Sequence, residues 1–78
     1  MILDDHHKII FKGYEKPLLK LEKAFNQSGL PVRFYAFADP FGNKMIRVLG
    51  GDSSQKIICI EGDSPAQAVK DVAAGVRL

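Results

Sequence analysis

One cysteine, two histidines and no apolar run of membrane length occur in these 78 residues, and each shortage removes a class of function. Cys59 cannot form an internal disulfide, and its setting in Ile57-Ile58-Cys59-Ile60 reads as a small apolar residue packed in a buried strand. A catalytic thiol would need a neighbouring base and an oriented third group, and the spacing offers neither, so no catalytic residue and no enzyme activity are expected. His6 and His7 follow Asp4 and Asp5, which are ligand types for a divalent ion. Adjacent residues of an extended chain point to opposite sides, and no third histidine exists, so no metal site is expected. Gly50-Gly51 is followed by Asp52, which repels an anion; no phosphate-cradling loop and no cofactor are expected. Nothing approaches the roughly 18 apolar residues that cross a bilayer, and the first five residues lack the basic flank and apolar core of a secretory signal. A soluble cytoplasmic protein without a membrane partner is the expectation. The net charge of +2 is well below that of a non-specific nucleic-acid binder.

What is present reads as one small globular domain over residues 1–78, with 1–13 as an edge strand or a flexible N-terminal segment. Hydrophobic residues at 46% and charged residues at 26% are ordinary for a folded chain. A chain of this length buries only about 60 to 65% of the surface that its unfolded form exposes, which leaves a narrow stability margin.

The most informative stretch is Val32 to Leu49. Asp39-Pro40-Phe41-Gly42 separates two runs of strand character, Val32 to Ala38 and Lys44 to Leu49. Pro40 pre-sets φ for the second position of a type I turn, Asp39 suits the first, and Gly42 takes the left-handed conformation that closes a three-residue hairpin loop. Pairing Asp39 with Asn43 and counting outward sets Phe34 opposite Val48 and Ala36 opposite Ile46 on a core face. On the other face Tyr35 meets Arg47, Phe37 meets Met45 and Arg33 meets Leu49.

Upstream, His6 to Phe11 is expected as a short edge strand blunted by Lys8. A helix from about Lys16 to Ser28 follows, with Pro17 at its first position and Gly29 as its C-terminal cap. Leu18, Leu21 and Phe25 share one side of it, while Lys16, Lys20, Lys23 and Gln27 share the other, with Glu22 close enough to offset the lysines. Downstream, residues 50–54 read as a polar turn. Lys56 to Ile60 reads as a third strand, and its unbroken apolar run implies cover on both faces. Ser64-Pro65-Ala66-Gln67 carries the pattern of a capping box, opening a second helix in which Ala68, Val69, Val72, Ala73 and Val76 form the docking stripe and Gly75 weakens the end. The expected architecture is two-layer α+β. An antiparallel sheet of three or four strands carries two helices on its Phe34/Val48 face, in the order (β)-α-β-β-β-α.

The helix–three strands–helix order over about residues 16–76, with Gly29-Leu30-Pro31 before the first strand and Ala73-Ala74 in the last helix, resembles the double-stranded RNA-binding domain. The phosphate-holding positions that are basic in that family are Pro65, Ala66 and Val69 here.

Two candidate surfaces result. Arg33, Tyr35, Phe37, Met45, Arg47 and Leu49 form a sheet face too apolar for an ordinary wet surface and too cationic for a core, which points to a protein partner or a second copy of the chain. The alternative is a nucleic-acid surface made of Lys16, Lys20 and Lys23 together with the sheet arginines.

Overall fold

The structure, a computed structural model, describes residues 1–50, 55–61 and 64–77. In chain order the elements are β1 (Ile2–Leu3), a 3-10 turn (Asp5–His7), α1 (Glu15–Gln27), β2 (Val32–Ala38), β3 (Lys44–Gly50), β4 (Lys56–Cys59) and α2 (Pro65–Arg77). The strands form one sheet in the order β1-β2-β3-β4.

The hairpin forms as its turn chemistry dictates. The Asp39 N–H donates to the Asn43 carbonyl at 3.0 Å, the Gly42 N–H donates to the Asp39 carbonyl at 3.0 Å, and Gly42 sits at φ +84°. Asp39 also works through its carboxylate, which accepts from the Asn43 side chain at 2.8 Å and from the Asn43 and Phe41 N–H groups at 2.8 and 2.9 Å. These bonds, led by the one from the Asn43 side chain, hold its carboxyl below the ordinary value. The resulting register pairs Phe34 with Val48, Tyr35 with Arg47, Ala36 with Ile46, Phe37 with Met45 and Arg33 with Leu49. Side-chain alternation then buries Val32, Phe34, Ala36, Ile46 and Val48 on one face.

Both helices lie against that face, with Leu18 and Phe25 from α1 and Ala68, Val72 and Val76 from α2 joining one core. The end of α1 is a Schellman motif: Leu30 N–H donates to the Phe25 carbonyl at 2.9 Å and Gly29 N–H to the Asn26 carbonyl at 3.2 Å, with Gly29 at φ +91°. Its start lies two residues before Pro17, which occupies the third helical position, still within the turn whose N–H groups lack helical partners. At the start of α2 only half of the capping box closes. Ser64 Oγ accepts from the Gln67 N–H at 3.1 Å, while the Gln67 side chain turns forward and donates to Asp71 at 2.9 Å. Gly75 does not end this helix. A Cβ there would lie 2.5 Å from Ile58 Cδ1, so the glycine lets α2 approach β4. The Lys56 ammonium donates to the Val76 carbonyl at 3.2 Å and further ties the end of α2 to β4.

The N-terminal segment departs from expectation. The strand is Ile2–Leu3, and it runs parallel to β2, with Ile2 beside Tyr35 and Leu3 beside Ala36, so the sheet is mixed. His6 to Phe11 is not a strand. The Asp4 carboxylate accepts from the His6 N–H at 2.8 Å and opens a 3-10 turn. Successive tight turns follow, with Phe11 N–H donating to the His7 carbonyl and Tyr14 N–H to the Phe11 carbonyl. Their purpose is visible in the packing. Phe11 is wholly buried, Tyr14 nearly so, and the two rings meet edge to face at 6.2 Å. A spacing of three residues brings two aromatics to one side of a coiled segment, where a strand would have split them. Residues 51–54 of the expected polar turn lie outside the described residues.

Candidate functional site

The site is the sheet face that carries no helix. Alternation and register place three rows of side chains across it: Ile2, Tyr35, Arg47 and Ile57; Phe37, Met45 and Cys59; Arg33 and Leu49. All six residues expected from the sequence are therefore brought together. Arg33 is exposed, while Tyr35, Phe37, Met45, Arg47 and Leu49 are each partly buried by their neighbours. The Tyr35 and Phe37 rings lie 6.2 Å apart and tilted. The Arg47 guanidinium sits over the Phe37 ring at 5.6 Å, a cation–π arrangement. That stacking leaves Arg47 Nε shielded from solvent with no hydrogen-bond partner among the described residues.

The electrostatics of the face are one-signed. β1 to β4 contain no aspartate or glutamate, and their cations on this face are Arg33 and Arg47. Lys44 and Lys56 point to the helical side, where Lys44 lies over the Tyr14 ring at 5.2 Å and Lys56 reaches α2. The open face thus combines apolar surface with two guanidinium groups and no carboxylate from the strands themselves.

Three members of the face escaped the sequence reading. Ile57 is 55% exposed and Ile2 is 41% exposed, and Cys59 is exposed rather than buried. The apolar run in β4 is not covered on both sides. Alternation turns Ile58 and Ile60, like Lys56, to the helical side, and turns Ile57 and Cys59 to the face that carries no helix. The signal that locates them is the register itself, which sets Ile57 beside Arg47 and Cys59 beside Met45.

The other candidate surface is arranged differently. Lys16, Lys20 and Lys23 are exposed on α1, on the helical side of the sheet, whereas Arg33 and Arg47 face the opposite way. The structure does not join them into one surface. Glu22 is not their counter-charge either. It is buried on the docking side of α1, where its carboxylate accepts from the Phe34 N–H at 2.7 Å and from the Met1 ammonium at 2.6 Å. One turn on, Asn26 Oδ1 accepts from the Val32 N–H at 2.8 Å. The spacing explains the pairing: four helical residues rise about 6.0 Å and two strand residues about 6.6 Å, so positions i and i+4 of α1 reach alternate donors of β2. A cleft of about 500 Å³ opens beside this seam, lined by Glu22, Asn26, Val32, Arg33, Leu49 and Gly50 among others.

Among the described residues no three His, Cys, Asp or Glu side chains gather in a metal-binding arrangement, and no helix is long and apolar enough to cross a membrane. No protein-family model, curated protein or solved structure matches this chain.

Proposed function

We propose that this chain is a non-enzymatic binding module that engages a protein partner through the helix-free face of its sheet. One observation carries the reading: both helices lie on one side, and the other side presents Ile2, Ile57, Tyr35, Phe37 and Met45 around two arginines with no carboxylate in any strand. Partly buried aromatics beside arginine are the composition of interface hot spots, and a partner carboxylate would supply the counter-charge that Arg33 and Arg47 lack within the sheet. Protein is favoured over nucleic acid because Arg47 already lies over the Phe37 ring, where a base would have to stack, and because Ile2, Ile57, Leu49 and Met45 offer no stacking platform. The half-buried side chains leave on the order of 1 kcal/mol each to gain on further burial, so Ile57 and Ile2 add a share that the aromatics alone do not supply.

The test is affinity capture with wild type and two variants, Phe37→Asp and Arg47→Glu, side by side. A protein retained by the wild type and lost by both folded variants is the expected result. Retention that collapses as salt rises from about 50 to 200 mM and disappears with nuclease would instead identify a nucleic acid.

A further inference from the structure

Besides its open face, the sheet has a free edge at β4. Hydrogen-bond parity along the strands is set at two points. Asp39 bonds to Asn43 across the hairpin, and the Ile60 N–H donates to the Lys44 carbonyl at 2.9 Å. In an antiparallel ladder alternate residues direct both backbone groups to the same neighbour. β3 therefore bonds to β2 through its odd-numbered residues and to β4 through Lys44, Ile46 and Val48, whose partners are Ile60, Ile58 and Lys56. The backbone N–H and C=O groups of Ile57 and Cys59 consequently point out of the sheet. β4 is the last strand in the order, and among the described residues none pairs with its outer edge.

We infer that this edge pairs antiparallel with β4 of a second copy, about a two-fold axis at Ile58. Segment 55–61, Gln-Lys-Ile-Ile-Cys-Ile-Glu, is complementary to its own reverse in that register. Ile57 meets Cys59 of the partner subunit twice over, and these are the positions whose backbone groups point outward, so the pairing closes four hydrogen bonds. Ile58 faces Ile58 of the partner subunit, Lys56 faces an isoleucine, and Gln55 faces Glu61 of the partner subunit. No like charges meet. The pairing juxtaposes the exposed Ile57 and Cys59 as well as the half-buried Ile58; the strand has no proline, and its one charge, Lys56, is turned onto α2 rather than outward. A two-fold axis perpendicular to the sheet keeps both helix-free faces on the same side, so the dimer is one eight-stranded sheet presenting two Tyr35/Arg47 patches together.

Solution mass measured by light scattering from about 1 μM to about 1 mM should rise from one chain toward two. Ile57→Pro removes an outward N–H while leaving every bond to β3 in place, and should raise the apparent dissociation constant about tenfold or more. Arg47→Glu, on the face and off the edge, should leave that constant unchanged. Dimerisation lost in Arg47→Glu but kept in Ile57→Pro would move the contact to the face and overturn the inference, as would a monomer at every concentration. The register has its own readout. In Ile57→Cys the new thiol stands opposite Cys59 of the partner subunit at about the 5.5 Å Cα separation a disulfide accepts. Mild oxidation should cross-link that variant rapidly and wild type slowly; equal rates would refute the register.

Discussion

At one edge of the sheet the outward N–H groups of Val32 and Phe34 end on Asn26 and Glu22 of α1, and beyond them β2 is covered by a two-residue parallel strand. At the other edge Ile57 and Cys59 offer the same kind of groups with apolar, uncharged side chains beside them. Among the described residues the outward groups of β2 are thus answered from within the chain, while those of β4 have no paired strand. An unsatisfied buried donor is costly, so an edge under a helix must be answered from within the chain, whereas an edge in solvent can be answered by water or by another strand. The difference separates side chains that hold the fold from groups available for association.

The strongest way to break this contrast is Glu22→Ala. It strands the buried Phe34 N–H and removes the acceptor of the Met1 ammonium, and it should lower stability by about 3 kcal/mol in urea unfolding. Glu22→Gln keeps an acceptor for Phe34 and should recover part of that loss; equal damage from both variants would make the ionic contact with Met1, rather than the edge bond, the main contribution. Asn26→Ala attacks the same seam where it is wetter, and a loss of about 1 kcal/mol is expected. On the opposite border Ile57→Lys, measured in dilute solution, should change stability by no more than about 0.5 kcal/mol. Hydrogen exchange sharpens the comparison further. In dilute protein the amides of Ile57 and Cys59 should exchange far faster than those of Val32 and Phe34, and equal protection would show that both borders are closed.

The smallest expected effect concerns the turn that sets the register of both edges. The Asp39 carboxyl is held below its ordinary value of 3.8, so its contribution to stability is complete above that value and is lost as pH falls through the lower folded-state value. Comparing wild type with Asp39→Asn in urea across the acid range should show a slightly steeper acid loss in the wild type.

How much of this was legible in the sequence depended on whether local chemistry and tertiary pairing agreed. The hairpin could be read because Pro40, Gly42 and the period-two alternation all specify one register, and the six face residues followed from it. The mixed character of the sheet could not, because Ile2–Leu3 is too short to show a period and its partner lies far along the chain. Phe11 and Tyr14 were hidden for a related reason: Lys8 to Phe11 looks strand-like in isolation, and only the core shows that the two rings need a coiled path. Glu22 is the instructive miss. It lies four residues after Leu18 and three before Phe25, on the buried stripe, yet a carboxylate there is ordinarily assigned to solvent. Its spacing from Asn26, just ahead of a strand opened by Pro31, was the available signal. Cys59 and Ile57 show the converse. An apolar run in a terminal strand has the same composition as one in a covered strand, so exposure had to come from the strand order.

The parallel pairing of β1 has a kinetic consequence. Ile2 meets a residue 33 positions away, whereas the β2–β3 ladder grows outward from a turn closed between Asp39 and Asn43. Closing the longer loop costs more chain entropy and returns only two register pairs, so the hairpin should assemble early and β1 should dock late. On unfolding the order reverses. The N-terminal strand is then the first part of the sheet to let go, and its release uncovers the outer edge of β2 at Tyr35 and Ala36 while the hairpin is still intact.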